Sequence, residues 1–225
     1  PSSPPRAPAE MTKDVAGLAG ALAAQYPAVA SLVPAVRDPV LRHVEVLKPF
    51  SHAKRRAIRQ LRYDASAKIF FQCRRRFWED DDGIVGGGSV TDLPIRNVYY
   101  PEAGKATGRG VLLASYTWAE DAQRWGSLSP DDRIEQAIED VAQLHPQVLE
   151  EFEVGTSWMW HDDPYAGGAF ALFEPSQQGL LHEHIVAPEG RIHFAGEHAS
   201  LAHAWIQGAI ESGLRAAREI HAKPV

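Results

Sequence analysis

The chain has 225 residues, 44% of them hydrophobic and 23% charged, with a formal net charge of −6 at pH 7. That length can bury one large core or two small ones, and the acidic balance gives no electrostatic support to a nucleic-acid-binding role. Cys73 is the single cysteine, which rules out an internal disulfide and a cysteine metal cluster, and no apolar run approaches the ~18 residues of a membrane span.

No signal peptide is visible at Pro1, but a mature secreted chain would have shed one, so the compartment stays open. Residues 1–9 are proline-rich and read as a linker. Thr12 or Asp14 then caps a helix that carries Val15, Leu18, Leu22 and Tyr26 at helical spacing. Val40 to Val46 alternates as a strand would, and Ser51 to Leu61 reads as a basic amphipathic helix capped by Ser51. The basic runs Lys54-Arg55-Arg56 and Arg74-Arg75-Arg76 read as solvated faces. Lys68 to Cys73 is a strand, Gly86-Gly87-Gly88 a loop, and Val98 to Tyr100 and Val111 to Tyr116 further strands. Ser129-Pro130-Asp131-Asp132 starts a helix that runs to about His145: serine caps, proline fits the first turn and the acids favour the dipole. Ser157 to Trp160 reads as a strand. Ile192 to Ala195 is a second short apolar run, followed by a polar turn and a helix rich in small residues from Trp205 onward. Elements mixed without regular βαβ alternation predict an α+β fold.

The chemistry-bearing positions stand out against this frame. Lys68 interrupts an otherwise apolar strand, as a snorkelling edge lysine or as a placed cation. Tyr116 and Trp118 flank Thr117 and so share a face. Gly196-Glu197 closes the last apolar run, and a helix start after Trp205 offers unpaired N–H groups and partial positive charge to an electron-rich ligand. The histidines at His161, His182, His184, His198 and His203 lack metalloprotease spacing, so no metal site is expected. A hydrolase reading fails because G-x-S-x-G is absent.

Two stretches carry a resemblance. Residues 191–219, RIHFAGEHASLAHAWIQGAIESGLRAARE, resemble the C-terminal flavin-binding segment of the flavin-containing amine oxidases. Residues 68–94, KIFFQCRRRFWEDDDGIVGGGSVTDLP, resemble the L-amino acid oxidase branch, which includes bacterial L-glutamate oxidases. The resemblance spans residues 40–220. It implies an α+β fold in which a mixed-sheet substrate domain with helices is joined by the C-terminal strand and helix of an FAD-binding domain. The expected divisions are a linker and helical segment at 1–39, the substrate domain with part of the FAD domain at 40–189, and the FAD-binding segment at 190–225.

By the same resemblance Lys68 holds a water against the flavin and is the catalytic candidate. Tyr116 binds the substrate carboxylate, with Ser115 as the alternative should the alignment slip by one. Trp118, Phe170, Trp205 and the carbonyl of Ala204 face the substrate. Trp160, Gly196, Glu197, Trp205, Ile206 and Ala209 face the cofactor, FAD. Tyr165, in the same W-x(4)-Y block as Trp160, reads equally as a buried core aromatic. Trp78 and Trp125 read as structural. The family's G-x-G-x-x-G strand–turn–helix is absent from these 225 residues. The resemblance therefore implies a companion chain that carries it, made by proteolytic processing, in a dimer of assembled pieces. The implied reaction is oxidation of an L-amino acid, with L-glutamate the favoured substrate, to a 2-oxo acid, ammonia and hydrogen peroxide. The alternatives are a monoamine or polyamine oxidase fragment, or a non-catalytic module that has lost its FAD domain.

Overall fold

The computed structural model describes residues 49–102 and 108–222. The expected helix around residues 15–26 and the expected strand Val40 to Val46 lie outside them. The described residues form two compact units, Arg62–Ala171 and a second built from residues 49–61 and 172–222.

The first unit is organised by β2 (Ser66–Cys73), which follows the short β1 (Arg62–Asp64). Its alternation sends Ala67, Ile69, Phe71 and Cys73 into the core at 0% exposure and Lys68, Phe70 and Gln72 to the other face. After α2 (Phe77–Asp80) come β3 (Gly88–Val90), β4 (Asn97–Tyr99) and β5 (Gly110–Trp118). Then α3 (Ala119–Gly126), α4 (Pro130–Leu144), α5 (Val148–Glu151) and β6 (Phe152–Met159) complete the layer. The sheet order is β3-β4-β5-β2-β6, and each of its pairings is antiparallel. β7 (Phe170–Leu172) pairs with β1 in a separate two-stranded sheet.

Helices α3 and α4 cover the buried sheet face with Ala122, Trp125, Ala137 and Val141. The start of α4 is built as its residues dictate: Ser129 Oγ accepts from the N–H of Asp132 at 3.2 Å, and Pro130 fills the first turn. Trp78 and Trp125 are core residues, as read. Between Ile69 and Phe70 the register to β5 shifts, so that Ile69 faces Ser115 and Phe70 faces Leu113. Ala114 is the extra residue of a β-bulge.

In the second unit α1 (His52–Gln60) begins at Ser51, whose Oγ accepts from the N–H of Lys54 at 3.1 Å. It meets α6 (Gln177–Val186), and α7 (Ile206–His221) follows later in the chain. Here one expectation is corrected. Lys54, read as part of a solvated face, is 1% exposed, and its Nζ donates to the carbonyls of Ile185 (2.9 Å) and Ala187 (2.7 Å) while lying 3.7 Å from the Phe194 ring centroid. The carbonyls at the end of α6 supply what water would otherwise give an ammonium. Burial still pulls Lys54 down to about 8, partly opposed by Glu189. In the first unit Arg76 is buried too, paired with Glu79 at 2.7 Å.

The run Ile192 to Ala195 forms an isolated bridge from Ile192 to Glu189 rather than a ladder. A strand exists by virtue of a neighbour, and among the described residues none pairs with His193 to Ala195. Arg215 takes over instead, donating to the Phe194 carbonyl at 2.7 Å, while His193 Nδ1 meets Glu219 at 2.8 Å.

Candidate functional site

The positions singled out in the sequence fall into two groups, one in each unit. Lys68 belongs to the first. Because β2 lies between β5 and β6, Lys68 is central to the sheet, and the edge-lysine reading fails. The register places Tyr116 opposite it on β5 and Trp158 opposite it on β6. The Lys68 Nζ stands 4.6 Å from the Tyr116 ring centroid, within cation–π range. Trp118 follows on the same face, its ring 4.7 Å from that of Tyr116. The bulge gives the two carboxylate-binding candidates, Tyr116 and Ser115, different surroundings. Ser115 is fully buried and donates to the carbonyl of Ile95 at 3.1 Å, leaving Tyr116 on the face of Lys68.

Two further residues on this face were not read from the sequence. Tyr99 brings its ring to 6.2 Å from Tyr116, and Trp158 meets Trp160 edge-on at 6.0 Å. The alternation of Trp158 with Trp160 was a usable signal; the approach of Tyr99 depends on the register between β4 and β5 and left none. Trp118, Trp158 and Trp160 are each between 39% and 47% exposed, so the face is an aromatic platform around one cation. Trp160 itself sits in a 3-10 turn, Trp160–Asp162. Phe170 lies on β7, in the other sheet. Tyr165 is 72% exposed, so it closes no core. Its N–H and that of Ala166 both bond to Asp163 Oδ1 at 2.8 Å, an Asx turn.

The second group clusters at the start of α7. Gly196 has φ 137, a region closed to side chains, and a Cβ there would meet the His198 ring at 2.5 Å. Its N–H donates to Ser212 Oγ at 2.9 Å, and that oxygen lies 2.7 Å from the Gly196 carbonyl, which ties the turn to the helix. Glu197 Oε2 accepts from the N–H of Ala204 at 2.8 Å and closes the loop between them. Ala204 has φ 64, the left-handed region where a Cβ costs roughly 1 kcal/mol. The helix N-terminus has no side-chain cap, with Trp205 71% and Ile206 80% exposed. Ala209 is half-buried one turn on. Beneath the turn His198 is fully buried, and desolvation, helped by His203, Lys54 and Arg215, brings it down to about 4.

An uncapped N-terminus on a 16-residue helix, reached through a turn with no side chain at Gly196, can donate backbone hydrogen bonds to the electron-rich edge of a planar ring. These residues fit the ring end of FAD. The glycine-rich cradle for its diphosphate is not in the sequence. Among the described residues no group of His, Cys, Asp or Glu is placed to hold a metal ion, and no described helix is long and apolar enough to cross a membrane.

The family model for flavin containing amine oxidoreductase matches residues 26–221, and the chain belongs to that family. Among its relatives is YobN of Bacillus subtilis (strain 168), whose name gives L-amino-acid oxidase as a provisional assignment. It is 50% identical over 80% of this chain and 38% of its own length. The L-amino-acid oxidase of Siganus canaliculatus is 42% identical over 75% of this chain and 32% of its own. The L-glutamate oxidase precursor of a Streptomyces viridosporus strain is 32% identical over 80% of this chain and 37% of its own. A putrescine oxidase redesigned in its cofactor binding superposes with a TM-score of 0.71 at 20% identity, covering 86% of this chain and 42% of that one; it speaks for the fold. The chain thus spans less than two fifths of the length of these curated relatives. The family is flavin-containing, in agreement with the expectation of FAD.

Proposed function

We propose that this chain is the C-terminal part of an FAD-dependent L-amino acid oxidase and works with a companion polypeptide that carries the dinucleotide-binding strand–turn–helix. The overall reaction takes an L-amino acid, oxygen and water to a 2-oxo acid, ammonia and hydrogen peroxide. The observation that carries this reading is the Lys68–Tyr116 pair, a cation and a phenol 4.6 Å apart on an open aromatic face. Relatives named L-amino-acid oxidases support it at 50% and 42% identity. The relative named as an L-glutamate oxidase precursor keeps L-glutamate among the candidate substrates.

FAD, when bound, supplies the two-electron acceptor and its own reoxidation by oxygen. The residues of this chain do the rest. The Tyr116 hydroxyl donates to the substrate carboxylate, a charge-assisted hydrogen bond. Lys68 holds a water for the reacting centre. In the first unit Trp118 and Phe170 present aromatic surface to the substrate; in the second Trp205 does so, and the Ala204 carbonyl accepts from the substrate amine. In the second unit the backbone N–H at Ile206, the Glu197 carboxylate, Gly196 and the small side chain of Ala209, whose own N–H donates to the Trp205 carbonyl at 3.3 Å, face the cofactor's ring end, and in the first unit the Trp160 ring faces the cofactor.

Replacing Tyr116 by Phe in the assembled enzyme tests this directly. It should raise KM for an L-amino acid about tenfold, the worth of one charge-assisted hydrogen bond, and leave oxidation of a simple amine unchanged. An unchanged KM for the amino acid, with peroxide still formed, would favour the monoamine or polyamine reading, which needs no carboxylate clamp.

A further inference from the structure

Behind the aromatic face, on the core side of the same unit, four side chains are joined end to end. Asp82 Oδ2 lies 2.8 Å from His145 Nδ1, His145 Nε2 lies 2.8 Å from the Tyr100 hydroxyl, and that hydroxyl lies 2.8 Å from Ser89 Oγ. His145 is 5% and Tyr100 2% exposed, while Asp82 reaches solvent. Chemistry orders the protons. An ionised Asp82 can only accept, so a neutral imidazole carries its hydrogen on Nδ1 and offers Nε2 to the Tyr100 O–H. The Tyr100 oxygen in turn accepts from Ser89. Burial pushes the Tyr100 phenol up, so it stays a donor. Aromatic packing reinforces the line, with the His145 ring edge-on to Tyr100 at 5.7 Å and tilted against Phe77 at 5.8 Å.

The relay ties the loop after α2 and the β3–β4 hairpin to the distant end of α4, where His145 is the C-cap. The relay joins other ties on the hairpin, Ser115 Oγ to the Ile95 carbonyl at 3.1 Å, Trp125 Nε1 to the Pro94 carbonyl at 3.2 Å and Arg96 to Asp121 at 2.9 Å, and adds the one that reaches Tyr100. β4 has three residues, and its register with β5 rests on one pair, Tyr99 with Leu113. Tyr99 immediately precedes Tyr100 and points to the opposite face. There its ring lies over Gly88, where a Cβ would come within 2.8 Å of it, and 6.2 Å from Tyr116. The hairpin also touches the clamp directly, since Asn97 Nδ2 donates to the Tyr116 carbonyl at 3.0 Å.

We infer that the Asp82–His145–Tyr100–Ser89 relay positions the substrate face, setting Tyr99 as a wall beside Tyr116, with His145 the positioning residue through which the hairpin is held. This rests on the reading of the Lys68–Tyr116 face as the substrate site. The wall meets the body of the substrate and not its reacting bond, so the relay governs substrate affinity more than turnover.

The test breaks the relay at two separate links in the assembled enzyme. Tyr100→Phe keeps the ring and removes the hydroxyl; Asp82→Ala removes the outer acceptor. Each should raise KM for an L-amino acid about tenfold with kcat within about twofold. The double variant should cost no more than one of them, because links in series fail together. His145→Gln, whose amide can donate and accept, should restore most of what His145→Leu loses. Crystal structures of the variants should show the Tyr99 ring moved away from Tyr116. Wild-type KM in Tyr100→Phe and Asp82→Ala, or equal falls in kcat and kcat/KM, would overturn the inference. If the wild-type enzyme forms no peroxide from any amino acid, the functional reading falls instead. The relay is then judged by the ring positions alone, and an unmoved Tyr99 would overturn it.

Discussion

A buried imidazole and an aromatic-ringed ammonium mark the two ends of what single residues do here. His198 sits fully buried beneath the turn that leads into α7, with its proton affinity brought from the usual 6.5 down to about 4. Between those values the unfolded chain takes up a proton that the folded chain refuses. Stability should therefore rise with pH across that window, be complete above it, and be lost as acid approaches the lower value. His198→Gln should flatten that slope by close to one proton in urea titrations taken across the window; an unaltered slope would place the acid sensitivity elsewhere. Lys68, Tyr116 and Trp118 were legible in the sequence because alternation alone assigns them a face. Trp158 could have been read from its alternation with Trp160, whereas Tyr99 could not, since its approach is fixed by pairing between strands and not by spacing within one. Lys54 misled for a related reason: a lysine in a basic run looks solvated, and only the carbonyls at the end of α6 explain its burial.

At the scale of elements, helices declared themselves more fully than strands. Ser129 and Pro130 announce α4, and Ser51 announces α1, because a helix start needs nothing beyond local hydrogen-bond donors and a cap. Ile192 to Ala195 reads as a strand from composition, yet a ladder needs a neighbour, and it has none among the described residues. The bulge at Ala114 is a feature of pairing that composition does not reveal. Helix α7 gives a paired prediction. A Cβ at Gly208 would collide with Ser200 Oγ and the Ala202 carbonyl, whereas one at Gly213 would meet nothing within 4 Å. Gly208→Ala should cost about 2 kcal/mol by forcing the helix off its turn, and Gly213→Ala should add roughly 0.5–1 kcal/mol of helix propensity. Chemical denaturation of both variants checks this, and a neutral Gly208→Ala would show the contact to be slack.

For the molecule as a whole, α7 exposes Ile206, Ile210 and Leu214 at intervals of four, joined by Leu201 and Trp205, each more than half exposed. Such a stripe is the mark of a face meant for another surface. On the proposed function, that surface belongs to the companion polypeptide that completes the FAD site. This chain by itself should then bind apolar dyes and self-associate, and co-production with the companion should abolish both. A monodisperse, dye-silent chain would mean the stripe needs no cover.

The most direct measurement is intact mass and visible absorption of the protein purified from its native producer, under native and then denaturing conditions. The proposed function requires yellow material in which this sequence, as a separate chain or as part of a longer one, travels with a G-x-G-x-x-G segment and releases noncovalent FAD on denaturation, and which forms peroxide from L-amino acids. A colourless chain found alone would contradict it and leave a non-catalytic module as the better description.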